Sequence, residues 1–369
     1  MPERKRSLKN IIVLASVREH EIDGIHDYTC QLAAILQARD DVHVSYRNPR
    51  QEPTDRFTDL MPQDDGGTLT VLLQYNPFTF ARWGFAPWLP FKLWRLRRFS
   101  PRLKIGLVVH EMYVPIKDWR SALMGAWQRL QFFAVRALSD VVFTTITAWA
   151  SELQARHPRR PVHHLPVASN LPDMRHTRAA ERERLGADDD TVVLAAFGTN
   201  NPLRLMDYVA SATTEVARSS RTILLNLGYN APPIDAGPTV RVVTPGPIEG
   251  AEIARYLAAS DIYLAPMLDG ISTRRTTFMA ALQHGLPVVS IDGPSTDSLL
   301  READMAVRLT SVEDREGFVR ETTELATHPL DRSRRGALAR SLYEREFDWP
   351  VVSARLVATI LGDGRSDCR

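Results

Sequence analysis

Asp269-Gly270-Ile271-Ser272-Thr273-Arg274-Arg275-Thr276-Thr277-Phe278-Met279-Ala280-Ala281-Leu282-Gln283-His284-Gly285-Leu286-Pro287-Val288-Val289-Ser290 decides the fold. It follows an apolar run, Asp261 to Pro266, that has the composition of a strand buried on both faces in a parallel sheet. A small-residue turn comes next, then a helix with apolar Phe278, Met279, Ala281 and Leu282, and Gly285-Leu286-Pro287 stops it before a second strand. A turn that opens a helix presents unpaired N–H groups and the positive end of the helix dipole, which suits a phosphate. Ser272 and Thr273 add hydroxyl donors, and Arg274 and Arg275 add charge able to grip a diphosphate. An ordinary strand–helix–strand crossover, with capping hydroxyls and solvated arginines, has the same pattern.

Working outward, the alternation of short apolar runs and amphipathic helices repeats along the chain. Strands are expected at 10–16, 42–46, 69–74, 104–110, 140–145 and 161–167, and again at 191–197, 221–227, 239–244, 261–266, 286–291 and 305–309. This predicts α/β architecture: two doubly wound, Rossmann-like domains facing a cleft. The expected boundaries are a first domain over 1–170, a linker over 171–190 and a second domain over 191–345. A last helical segment, 346–369, would return to the first domain. The linker reading rests on an Arg- and Asp-rich polar stretch containing Pro172.

Composition narrows the function. The 369 residues carry a net charge of only +2, with 44% hydrophobic and 24% charged residues, an ordinary globular balance that implies no nucleic-acid partner. Cys30 and Cys368 form neither a disulfide framework nor a metal cluster, and no metal site is expected. Neither a signal peptide nor a spanning segment is evident, so a cytoplasmic protein is expected. After Lys117 every basic side chain that could meet an anion, histidine apart, is an arginine. One stretch stands out. Residues 76–98 crowd Phe78, Phe80, Trp83, Phe85, Trp88 and Trp94 beside Arg95, Arg97 and Arg98. It fits a weak peripheral membrane contact or an apolar acceptor, and equally an inter-domain wall of packed aromatics with a solvated basic face.

In open α/β sheets, ligands bind beyond the carboxyl ends of the strands where the strand order reverses. Falling there are Gly24, His26 and Asp27, then His110 and Glu111, then Gly198, Thr199 and Arg204, and finally Asp269, Gly270, Ile271, Ser272, Thr273 and Arg274. His26-Asp27 has the alternative reading of a helix cap. His110 alone would also pass as a structural histidine, and Arg204 as a surface residue.

These residues carry a resemblance to the family 4 type, retaining glycosyltransferases of GT-B fold. Gly24-Ile25-His26-Asp27-Tyr28-Thr29 resembles the family's glycine loop, and Val109-His110 its donor-sugar histidine. Gly198 followed by Arg204 resembles its phosphate-binding Arg and Lys pair, with Thr199 in the arginine's place and Arg204 in the lysine's. Glu252 to Ala265, His284-Gly285-Leu286-Pro287-Val288-Val289 and Phe347-Asp348-Trp349 resemble three further family segments in the right order. Two departures concern the family's acidic pair. Ala280 stands where the second glutamate is expected, and Asp269 lies three residues upstream of the first.

The resemblance implies transfer of a sugar from a nucleotide-diphosphate sugar to an acceptor hydroxyl, with no cofactor and no metal. Small molecules, glycans and lipid-linked precursors of the cell envelope or of polysaccharides are the implied acceptors, with secondary metabolites as a further class. His110 and Arg204 are the candidate catalytic residues. Gly24, Gly198, Thr199, Arg204 and residues 269–274 are the donor-binding set, and His26, Asp27 and Glu111 lie on the acceptor side. A nucleotide-sugar epimerase, a pseudo-glycosyltransferase and an inactive binding protein are the competing readings.

Overall fold

The structure, a computed structural model, describes residues 9–15, 24–49, 69–100, 102–156, 158, 160–303 and 305–361. Ser16, most of the loop after it and Cys368 lie outside the described residues. The chain divides into two compact units, residues 1–165 with 352–369, and residues 166–351.

In the first unit, β1 (Lys9–Leu14), β2 (Val42–Arg47), β3 (Leu69–Tyr75), β4 (Lys104–Val109), β5 (Val141–Thr144) and β6 (Val162–His164) form a parallel sheet. Its order is β2-β1-β3-β4-β5-β6, so the direction of winding reverses between β1 and β3. β3 is buried along its whole length, which is why its sequence, Leu-Thr-Val-Leu-Leu-Gln-Tyr, lacks the alternation of a half-exposed strand. Helices Trp88–Phe99 and Trp119–Ala137 cover one sheet face, with Leu89, Leu93, Leu96, Phe132 and Val135 packed in one core with Leu73, Leu107 and Val109. The final helix, Trp349–Leu361, contributes to this unit from Val352, and Ile360 lies against Gly106 of β4.

The second unit repeats the design with β7 (Thr191–Phe197), β8 (Arg221–Leu227), β9 (Arg241–Val243), β10 (Ile262–Ala265), β11 (Val288–Asp292) and β12 (Val307–Ser311). All pairs are parallel, in the order β12-β11-β10-β7-β8-β9, so winding reverses between β7 and β10. Leu194, Ala196, Leu224, Leu264, Val289 and Ile291 meet Val209, Ala212, Val216 and Phe318 of the covering helices.

Two expectations need correction. Residues 171–190 are not a bare linker, since they carry the helix Arg178–Leu185 inside the second unit. Arg178 and Arg182 pair with the buried carboxylate of Asp261 at 2.6 and 2.9 Å, and Asp261 also accepts the Val193 N–H at 2.8 Å. The charges that suggest a solvated tether therefore satisfy a buried acid at the foot of β10. Likewise, residues 76–98 do not form a wall of packed aromatics. Phe80 is buried with Leu89, Leu93 and Leu96, but Trp83, Phe85, Phe91 and Trp94 are exposed. No helix among the described residues is long and apolar enough to cross a membrane.

Candidate functional site

The strongest site lies in the second unit at the reversal between β7 and β10. A pocket of about 240 Å³ opens beyond their carboxyl ends, lined by Gly198, Arg204, Tyr263, Arg274, Arg275 and Thr276 among others. No carboxylate among the described residues lines it. Backbone geometry builds its floor. The chain leaves β8 so close to β7 that a Cβ on Gly228, at φ +139°, would lie 2.2 Å from the Gly198 carbonyl oxygen. Gly270, at φ +87°, likewise lets the loop 269–275 lie against Gly293 and Thr296.

Arg204 sits on the segment after Gly198, which is fastened beside β10 by two backbone hydrogen bonds, Leu205 N–H to Pro266 O and Leu268 N–H to Leu203 O. One guanidinium nitrogen, Nη1, donates to the carbonyls of Gly198 at 2.8 Å and Thr199 at 3.2 Å. Nε and Nη2 have no partner among the described residues and remain as donors for a ligand. Burial holds the Arg204 pKa below its ordinary value, and the neighbouring Tyr263 hydroxyl opposes that shift. The Tyr263 hydroxyl donates to Phe197 O at 3.1 Å, joining the ends of β7 and β10. Across the pocket, Arg275 Nη2 meets both oxygens of Asp269 at 2.7 and 2.9 Å, with Arg274 3.6 Å from the same carboxylate. Three guanidinium groups against one carboxylate leave a local charge of +2. The helix Thr276–Gln283 adds its N-terminal dipole. This arrangement is chemically fitted to a diphosphate.

A second polar group lies at the carboxyl ends of β3 and β4 in the first unit. His110 Nε2 is 2.7 Å from Gln74 Oε1, and the Tyr28 ring meets the imidazole edge-on with centroids 5.4 Å apart. Burial lowers the His110 pKa to about 4, so the ring is neutral near pH 7. Glu111 beside it is within 3.4 Å of Asn76 Nδ2. On the helix Gly24–Gln37, His26 Nδ1 lies 3.4 Å from the Tyr46 hydroxyl, one turn before the exposed Cys30. Asp27 is exposed in the first turn.

No protein-family model matches this chain, and no curated protein matches it. Solved structures do. Sucrose-phosphate synthase from Thermosynechococcus elongatus aligns over 96% of this chain and 98% of its own, at 13% identity and a TM-score of 0.66. WaaG, a glycosyltransferase involved in lipopolysaccharide biosynthesis, aligns over 95% and 100%, at 13% identity and a TM-score of 0.63. An α,α-trehalose-phosphate synthase (UDP-forming) from Burkholderia vietnamiensis aligns over 96% and 100%, at 10% identity and a TM-score of 0.61. The fold is GT-B.

Within this GT-B chain, several expected donors are placed differently from the sequence reading. Ser272 and Thr273 are fully buried, and neither lines the pocket. The Thr273 N–H and hydroxyl both donate to Asp297 Oδ2, at 2.6 and 2.8 Å, and the Ile271 N–H points to Thr296 Oγ1 at 3.3 Å. Asp269 is held by the two arginines and is a brace for them. Of the two arginines, Arg275 is the more buried. Gly24 is the first residue of its helix. Ala280, where a glutamate was expected, is completely buried. Sequence reasoning missed Tyr263, Asp297, Gln74 and Tyr28; the first two act through residues far away in sequence, and no local pattern marks them. The larger cavity of about 580 Å³ at the opposite end of β10 and β11 is also rich in arginine. There the cations are already committed, Arg178 to Asp261 and Arg340 to Asp173 and the Gln283 carbonyl.

Proposed function

We propose that this chain transfers a sugar from a nucleotide-diphosphate sugar to an acceptor hydroxyl, with retention at the anomeric carbon. One observation carries the reading. Arg204, with two donor nitrogens unpartnered among the described residues, lines a pocket together with Arg274 and Arg275 at the sheet's point of reversal, and no described carboxylate lines it. As the bond from the anomeric carbon to the diphosphate breaks, negative charge grows on the leaving oxygen. Preorganised guanidinium groups stabilise that charge without reorganising. The acceptor oxygen bonds to the anomeric carbon on the face the diphosphate leaves, and the leaving phosphate takes the hydroxyl proton, so neither a protein nucleophile nor a protein base is required. Because arginines supply the neutralising charge, the transfer needs neither a metal nor a cofactor. We assign His110 to hydrogen bonding with the donor sugar, as the resemblance implies; burial keeps its imidazole neutral near pH 7, with one nitrogen to donate and one to accept.

A cytoplasmic enzyme of the family 4 type, acting on a cell-envelope, glycan, lipid-linked or small-molecule acceptor, fits this reading. Involvement of WaaG in lipopolysaccharide biosynthesis supports a cell-envelope acceptor. The test is proton NMR of reactions containing a panel of nucleotide sugars, candidate acceptors and a metal chelator. An α-configured donor should give an α-linked product and a free nucleoside diphosphate. A β-linked product would overturn retention, and dependence on added metal would overturn the role given to the arginines.

A further inference from the structure

Thirteen large apolar side chains are exposed among the described residues, and nine of them fall between Trp83 and Leu130. The other four, Tyr229, Leu268, Leu330 and Leu338, are scattered through the second unit. Six of the nine, Phe91, Trp94, Phe99, Trp119, Leu123 and Leu130, lie on helices Trp88–Phe99 and Trp119–Ala137, which pack into one core on one sheet face. Their outward stripes therefore point the same way. On the first helix, Leu89, Leu93 and Leu96 face the sheet, which turns Phe91, Trp94, Arg95 and Arg98 outward. Phe91 and Trp94 stack there with centroids 5.9 Å apart. On the second helix, Trp119, Leu123 and Leu130 form the corresponding stripe.

The turn between β3 and the first helix adds Trp83 and Phe85. Trp83 has a φ of +58°, a conformation costly for a bulky residue. Its carbonyl is held by Trp127 Nε1 at 3.2 Å and by the buried Gln128 Nε2 at 3.0 Å. Phe85 packs edge-on against Trp127, tying the turn to the second helix. The fold thus spends conformational strain to keep an indole exposed.

Charge selects what covers this face. From Asn76 to His110 the chain has seven basic residues and no acidic one. The cations are interleaved with the rings, with Arg82 over Trp83 at 5.5 Å, Arg95 over Phe99 at 5.6 Å and Arg120 over Trp119 at 5.3 Å. The exposed indoles of Trp83 and Trp94 stand among arginines in a stretch, 76–110, that has no acidic residue, and this matches the headgroup layer of a negatively charged bilayer. We propose that this face of the first unit seats the protein on an anionic lipid surface, with Trp83, Phe91 and Trp94 entering the headgroup region and Arg95 and Arg98 meeting lipid phosphates. The proposal does not depend on the transferase reading.

The test is co-sedimentation of the full chain with vesicles of phosphatidylcholine alone or mixed with phosphatidylglycerol, over a salt series. Binding is expected only to the mixed vesicles and should fall as salt rises. Arg95→Glu with Arg98→Glu should weaken it by about 25-fold or more, taking about five-fold per lost cation near the surface. Phe91→Ser with Trp94→Ser should weaken it by at least about ten-fold, whereas Leu330→Ser, an exposed position outside the face, should leave it unchanged. Both double variants should keep wild-type circular dichroism and nucleoside-diphosphate binding. No sedimentation with the mixed vesicles, equal binding to phosphatidylcholine alone, or full binding by either double variant overturns the proposal. A stable dimer in analytical ultracentrifugation that the apolar double variant dissolves would also overturn it, assigning the face to a second copy. Failure to bind any nucleoside diphosphate, with vesicle binding intact, would sink the transferase reading alone.

Discussion

Replacing Arg204 by alanine isolates the phosphate-binding claim from the fold. The side chain is half-buried, and its contacts with the rest of the chain are two carbonyl hydrogen bonds from Nη1, at 2.8 and 3.2 Å. Removing it lowers the local charge from +2 to +1 and deletes the donors that face the pocket. A hydrogen bond to a charged group is worth about 1.5–3 kcal/mol. Nucleoside-diphosphate affinity should therefore fall by about 10- to 150-fold. Stability should move by no more than about 1 kcal/mol, since the variant also relieves a desolvated cation of its burial cost. Calorimetric titration at low salt reads the affinity, and thermal denaturation reads the stability. Arg204→Lys should fall between wild type and alanine, keeping the charge but losing the planar fork. Added salt should weaken wild type more than the alanine variant. A dissociation constant within about three-fold of wild type, in a folded protein, would refute the assignment.

Other predictions concern the two polar groups and their supports. For His110, the folded pKa of about 4 lies below the ordinary value of 6.5, so the unfolded chain binds more protons between these pH values. The stabilisation it gives is complete above pH 6.5 and disappears as pH falls toward 4. Denaturant titrations should show the wild type losing on the order of 3 kcal/mol more than His110→Gln over that range; a constant difference would mean that the imidazole is not buried. Asp297→Ala strips the Thr273 N–H and hydroxyl of their acceptor in a buried setting. That variant should lose about 3–5 kcal/mol and bind nucleotide more weakly, because the 269–275 loop loses its anchor. Ala280→Glu would place a charge in a fully buried position. We expect a falling melting temperature and no gain in nucleotide affinity; tighter binding would mean that the helix can turn this position toward the ligand.

Periodicity is a local property, and what it governs was legible. The apolar runs, the restart of the alternation after residue 190 and the carboxyl-end positions of Gly198, Arg204 and Arg274 all follow from neighbours in sequence. Pairings that span many residues did not follow. Thr273 looks like a phosphate donor until Asp297, 24 positions on, claims both of its hydrogens. The Arg178–Leu185 segment looks solvated until Asp261, buried at the foot of β10, draws in Arg178 and Arg182. Asp269 and Arg275 are six residues apart, yet only the turn at Gly270 brings them together. In each case an uncompensated charge or hydroxyl was satisfied by a partner that only the tertiary fold supplies.

The central claim is that the second unit binds the diphosphate of a nucleotide-sugar donor. Its most direct test is calorimetric titration of the unmodified protein with UDP, GDP, TDP and ADP in the presence of a metal chelator. One nucleotide should bind selectively with micromolar affinity, enthalpically favourable and weakened by salt. Absence of binding to all four would contradict it, leaving the arginine-lined pocket without the ligand its charge was built to hold.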